Sequence, residues 1–243
     1  MLEAAFWGFV GGASLLIGAV VGISRPFSAP LIGLIMGFGA GVLISAVAFE
    51  LTKEAFDRAG TDAVVFGLAA GALTFFVGDW IIDHRGGDNR KRSGGQQQSG
   101  ASAGTALALG ALLDGIPESV AIGATLLGGG EIGIAVVAAV FLSNFPESLS
   151  SSVGMKKAGH STRYILGLWA GVLIASTVAA AVGFVTLDGA PDVVIALIQG
   201  FAAGAILVML SDTMVPEAVG EGGSVVGLVT TAGFVLAFLL SNA

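Results

Sequence analysis

The feature that most narrows the folds open to this chain is a recurrence of apolar stretches about twenty residues long, with little between them. A bilayer core of roughly 30 Å takes about 20 apolar residues as a helix, and such stretches recur near residues 4–24, 28–50, 63–83, 103–127, 132–155, 164–186, 191–213 and 222–242. Eight spans would use about two thirds of the chain and leave no room for a sizeable soluble domain. Residues 1–243 therefore read as one all-α, polytopic membrane domain. A mean hydropathy of +0.93, with 55% hydrophobic and 11% charged residues, lies outside what a water-soluble domain of this size shows.

The 39 glycines, many inside the apolar stretches, suit close helix packing in lipid, where small residues let backbones approach. Cysteine is absent, which removes disulfides and thiolate ligands, so any metal must be held by oxygen or nitrogen. The segment MLEAAFWGFVGG lacks a basic n-region and reads as the entrance to the first span rather than a cleaved signal.

Residues 84–104, HRGGDNRKRSGGQQQSGASAG, cannot build a core and read as a flexible loop. Arg25, Arg85, Arg90, Lys91, Arg92, Lys156, Lys157 and Arg163 follow spans 1, 3 and 5, whereas the loop after span 2 holds Lys53 and Arg58. The positive-inside rule then puts both termini outside and the long loop in the cytoplasm, with the plasma membrane as the expected location. Trp7, Trp80, Tyr164 and Trp169 fall near span ends, as interfacial aromatics do.

Two internal repeats are legible. GFGAGVLISAVAFELTKEA from Gly37 aligns with GFAAGAILVMLSDTMVPEA from Gly200, matching Gly41/Gly204, Glu54/Glu217 and Ala55/Ala218 at one constant offset. These are spans 2 and 7, five crossings apart, so the repeat is inverted and a 3+2+3 arrangement follows. Transporters with such a pseudo-two-fold axis bind substrate near it. The second repeat is LDGIPES at 113–119 in span 4 and LSNFPES at 142–148 in span 5.

Each PES motif sets a proline and a glutamate inside an apolar helix. Proline removes an amide donor and releases a carbonyl one turn earlier, at Leu113 for Pro117 and Leu142 for Pro146. A carboxylate at bilayer depth costs several kcal/mol unless paired or solvated. Helical spacing sets Asp114 beside Glu118, and Ser143 and Asn144 beside Glu147. Three carboxylates, an amide and a hydroxyl could surround one cation, with no Lys, Arg or His expected nearby. Protons are the other way to neutralise them, which would link binding to pH. A kink with a locally paired glutamate would explain either motif alone, but not its duplication on adjacent antiparallel spans. Glu50 and Glu54 near the outer end of span 2, with Asp212 and Glu217 near the inner end of span 7, are candidate entry and exit carboxylates, or simply wetted interfacial charges. Asp79 and Asp83 are expected to pair with Arg85 or water, and His84 and His160 to be solvated loop residues.

With these residues on the page, the chain resembles the ZIP (ZRT/IRT-like) family of divalent metal transporters across essentially all eight spans. LDGIPES and LSNFPES stand where that family carries HNxPEG-type and HxxPE or QxxPE-type motifs. SDTMVPEA at 211–218 and FELTKEA at 49–55 look like its SHEIIPE segment and that segment's counterpart in span 2. The departures are Asp114 for the first histidine, Gly115 for the asparagine after it, Ser119 and Ser148 for the glycines after PE, Ser143 for the His or Gln of span 5, and Asp212 and Thr213 in span 7. Span 6 has no acidic residue for a second metal. The resemblance thus implies a mononuclear site at Asp114, Glu118, Ser143, Asn144 and Glu147, with zinc, iron or manganese as substrate. It also implies a homodimer and an elevator in which spans 1, 4, 5 and 6 slide against spans 2, 3, 7 and 8. An all-oxygen set itself suits harder ions such as Mn²⁺, Mg²⁺ or Ca²⁺, with Fe²⁺ between. The alternatives are a carrier of protons or small organic cations and a metal sensor that does not transport. An enzyme is not expected, because FVGD at 76–79 has no partner motif for an intramembrane aspartyl protease.

Overall fold

The computed structural model describes residues 1–87, 90, 92, 93, 97, 101–128 and 134–242, with backbone alone at 101–104. Among these residues all regular structure is helical. In chain order the α-helices are α1 (Leu2–Ser24), α2 (Ala29–Ala46), α3 (Lys53–Ile82), α4 (Ala101–Thr125), α5 (Ile134–Lys157), α6 (Thr162–Leu187), α7 (Asp192–Met209), α8 (Val215–Gly222) and α9 (Val226–Ser241). Wide π-helical turns at Val47–Thr52, Asp83–Gly87 and Leu210–Met214 interrupt them. Six continuous helical runs are long and apolar enough to cross a membrane: Leu2–Ser24, Ala29–Gly87, Thr105–Thr125, Ile134–Lys157, Thr162–Leu187 and Asp192–Ser241. The chain is a multi-pass membrane protein.

Two of those runs, of 59 and 50 residues, are far longer than a single crossing at about 1.5 Å per residue. The sequence led to a non-helical connection inside each, between 28–50 and 63–83 and between 191–213 and 222–242. The structure corrects this, because the connecting residues stay largely helical. In the first run the reason is charge spacing: Lys53 pairs with Asp57 and Glu54 with Arg58 at helical separation, which supports a helix continuing past its apolar stretch. The chain turns only at Gly60 (φ 75°, ψ −170°), and in the second run at Gly223 (φ 68°, ψ −155°). That conformation is essentially restricted to glycine.

These breaks are not independent events. Gly60 and Gly223, the starts of α2 and α7 at Ala29 and Asp192, and the π-helical turns opening at Val47 and Leu210 all share the offset that separates Gly37 from Gly200. Packing repeats in the same way: α1 lies on α5 as α6 lies on α4, and α2 lies on α9 as α7 lies on α3. The contacts that need glycine repeat too. A Cβ on Gly71 would sit 1.9 Å from the Phe201 carbonyl oxygen, and one on Gly233 would sit 2.1 Å from that of Phe38, the counterpart of Phe201. Helices α1 and α6 run antiparallel, Gly8 meeting Ala180 and Gly12 meeting Leu173.

The heaviest packing falls within two groups, one of α1, α4, α5 and α6, the other of α2, α3, α7, α8 and α9, which meet mainly where α2 touches α5 and α4 touches α7. Trp169 belongs to the core of the first group, 2% exposed, with its indole N–H donated to Ser152 Oγ at 2.8 Å. It is not an interfacial aromatic; the buried hydroxyl of α5 supplies the partner that a sunken indole needs. Trp80 is exposed, as expected.

Candidate cation site

Helices α4 and α5 run through Pro117 and Pro146 without ending, so each carries a position where the ladder bond is missing inside an apolar element. All five residues singled out on these helices are buried: Asp114, Glu118, Ser143, Asn144 and Glu147. Asp114 and Glu147 come together on one cavity of about 10 Å³, shared with Ser151 and walled by Met155 and Trp169. By this measure the space is about what one water needs. Glu118 is buried one turn beyond Asp114 but does not line that cavity. Ser143 Oγ donates to the Val140 carbonyl at 3.1 Å, and Asn144 Nδ2 to the Gly11 carbonyl of α1 at 3.3 Å, so both spend a donor on the scaffold. Among the described residues no three His, Asp or Glu side chains are gathered closely enough to hold a metal ion.

One expectation is plainly corrected: a basic group does reach the site. Arg90, assigned by its polar surroundings to a solvated loop, is 4% exposed and lines the same cavity as Asp114 and Glu147. Its guanidinium bonds to Asp79 and lies 3.3 Å from Asp83 and 3.6 Å from Asp114. Asp79 and Asp83 both pair with Arg90, which the sequence did not single out as their partner. Sequence position hid this, because an arginine stem carries its charge well away from its own backbone. Burial works against the charge, but the Asp114, Asp79 and Asp83 carboxylates more than offset it and hold the guanidinium protonated beyond its ordinary range. Three carboxylates, those of Asp79, Asp83 and Asp114, thus meet the Arg90 guanidinium.

Of residues 84–104, expected to be flexible, 88, 89, 91, 94–96 and 98–100 lie outside the described residues, whereas Arg90, Arg92, Ser93 and Gln97 are held. The Gln97 amide nitrogen lies 2.9–3.0 Å from the carbonyl oxygens of Arg90, Arg92 and Ser151, two of which its two hydrogens can serve at once. Ser151 Oγ donates to the Arg90 carbonyl at 2.7 Å, and Lys157 Nζ to the Ser93 carbonyl at 2.8 Å. Glu217, 2% exposed on α8, accepts from the Ser93 amide at 2.9 Å and from Ser150 Oγ at 3.4 Å, with Arg92 3.9 Å away. Two glycines make room for these residues. A Cβ on Gly110 of α4 would lie 2.3 Å from Arg90 Cδ, and one on Gly154 of α5 would lie 2.0 Å from the Arg92 carbonyl oxygen.

The other candidate carboxylates stand apart. Glu50 is half-buried in the first π-helical turn, Glu54 is paired with Arg58, and Asp212 is exposed in the third turn; none lines the cavity. His84 is exposed, its ring nitrogen 2.7 Å from the Trp80 carbonyl, and His160 stacks on Tyr164. Sequence reasoning missed Arg90, Ser150 and Ser151. The available signal was the run SLSSS at 148–152, whose serines are all buried, an unusual density of hydroxyls for an apolar helix.

No family model matches the chain. It is similar to a protein of Arabidopsis thaliana named "Putative zinc transporter At3g08650", at 27% identity over 193 residues that make up 78% of this chain. The chain spans 30% of that protein's length.

Proposed function

We propose that this protein is a membrane transporter of divalent metal cations, with a single carboxylate-rich binding site between α4 and α5. The observation that carries the reading is that Asp114 and Glu147, from two separate proline-interrupted helices, are buried on one cavity. Charged groups at such depth are expensive and mark ion pathways by default. Asp114, Glu118, Ser143, Asn144 and Glu147 form the ligand set in its loaded state, with zinc, iron or manganese as substrate. The name of the Arabidopsis relative supports zinc, and the all-oxygen chemistry supports manganese.

The shared offset of helix starts, π-helical turns and glycine breaks and the antiparallel course of α1 and α6 support eight crossings in a 3+2+3 inverted repeat, each long helical run crossing twice. The two packing groups suit elevator-type alternating access, the group holding α4 and α5 moving against the other. The placement of lysines and arginines supports both termini outside; the plasma membrane is the expected location and a homodimer the expected assembly.

Uptake of Zn²⁺, Mn²⁺ and Fe²⁺ by protein reconstituted into liposomes tests the reading: at least one should accumulate above empty liposomes, and accumulation of none contradicts it. Asp114→His should shift the Zn²⁺/Mn²⁺ uptake ratio toward zinc, because imidazole replaces a hard oxygen; an unchanged ratio removes Asp114 from the ligands. One observation favours a second reading. A guanidinium already sits among the carboxylates, so a small organic cation could occupy the site, and guanidinium uptake with no metal uptake would select that alternative.

A further inference from the structure

Helices α1 and α5 run side by side in the same direction, Gly11 meeting Val140 and Gly22 meeting Leu149 and Val153. Their last residues, Ser24 and Lys157, therefore come to the same boundary of the membrane. A cavity of about 340 Å³ opens there, within the size range of small-ligand sites. Arg25, Lys156 and Lys157 supply its charge, and Ile23, Phe27 and Val153 its apolar wall. Lys156 Nζ donates to the Ile23 carbonyl at 2.7 Å and Lys157 Nζ to the Ser93 carbonyl at 2.8 Å. An ammonium has three donors, so both lysines keep capacity for an anion. Among the described residues none of these three cations has a carboxylate partner, unlike Arg58 and Arg90.

The repeat provides an internal comparison. Arg25 corresponds to Asp188 at the Gly37/Gly200 offset, and Lys156 and Lys157 correspond to Leu127 and Gly128 at the offset of the two PES motifs. The equivalent corner, where α4 ends beside the link from α6 to α7, thus has a carboxylate and no cation at these positions. A general bias of basic residues toward one side of the membrane asks only that charges lie on that side. It does not ask three of them to converge on one cavity with an apolar wall.

We propose that this cavity is a binding site for the phosphate headgroup of an anionic phospholipid, held by Arg25, Lys156 and Lys157. Basic pockets between membrane helices are suited to such headgroups. The occupant is a lipid rather than free phosphate because the cations stand beside an apolar wall at a membrane boundary. Ile23, Phe27 and Val153 suit the glycerol and first acyl carbons, which a free anion lacks. The site is separate from the carboxylates of α4 and α5 and does not depend on the transport reading. Its lining comes from α1, α5 and the link from α1 to α2, so an occupant fastens α5 to a connection between the two helix groups.

Native mass spectrometry of the full chain, released from micelles doped with phosphatidylglycerol or with phosphatidylcholine of the same acyl chains, reads binding. The thermal midpoint with each lipid reads stabilisation. Wild type should hold phosphatidylglycerol about tenfold more tightly than phosphatidylcholine. Arg25→Gln, at an exposed side chain, should weaken phosphatidylglycerol binding about fivefold. Lys157→Gln should do the same and carries the test should Arg25→Gln fail to fold. Arg163→Gln removes an exposed charge that does not line the cavity and should leave binding nearly unchanged. Equal retention of the two lipids by wild type overturns the proposal. So does a loss in Arg25→Gln and Lys157→Gln no larger than that in Arg163→Gln, the behaviour of a diffuse positive surface. Stabilisation by inorganic phosphate without lipid, equal to that by phosphatidylglycerol, marks a free-anion site and overturns the lipid assignment.

Discussion

Glu54 and Glu217 occupy equivalent positions in the repeat, and the molecule treats them in opposite ways. Glu54 lies partly exposed one turn from Arg58, its partner on the same helix, and Arg58 also reaches Asp192 of α7 in the same helix group. Glu217 is 2% exposed and receives Ser93, Arg92 and Ser150 from the chain between α3 and α4 and from α5 of the other group. One of these carboxylates is tied within a group, the other across both. Sequence symmetry builds two similar halves, and a non-repeated stretch between them decides which of the two glutamates is buried.

The largest departure between the two positions should come from removing the carboxylates. Glu217→Ala strips a buried acceptor from two donors and an arginine and should cost about 3 kcal/mol of stability, measured as a fall in the thermal midpoint in detergent. A change no larger than that of Glu54→Ala would erase the distinction. Next come the two glycine breaks. Gly60→Ala and Gly223→Ala each force a side chain into a conformation only glycine tolerates and should each cost about 1–3 kcal/mol, by equal amounts. Unequal costs would show that the repeat preserves backbone shape without preserving its energetics. Smallest is Glu54→Ala itself, which loses a partly exposed pair at helical spacing worth about 0.3–0.5 kcal/mol and should also be weakened by salt. A salt-insensitive loss would mean that Glu54 does more than meet Arg58.

Much of this was legible in the sequence because it is written in periodicity. Runs of about 20 apolar residues mark the chain as helical and multi-pass, the Gly37/Gly200 alignment anticipates matching helix starts, and LDGIPES and LSNFPES anticipate buried carboxylates, of which Asp114 and Glu147 share a cavity. The helical residues that lead up to Gly60 and Gly223 were not anticipated, because polar residues there read as loops, although before Gly60 their charges are spaced to favour a helix. Arg90 was not legible at all. Its placement depends on Gly110, some twenty residues away, leaving room for it, on Gly154 leaving room for Arg92 and Gln97, and on Gln97 and Ser151 bonding to its carbonyl. Long-range steric permission of that kind leaves no local pattern.

Uptake by Glu147→Gln and Glu118→Gln, beside wild type at matched reconstitution, tests the central claim most directly, because glutamine preserves shape and removes only charge. Loss of metal uptake in both variants, with thermal midpoints within a few degrees of wild type, is the predicted result. Uptake at the wild-type rate in both variants would contradict a cation path through the carboxylates of α4 and α5.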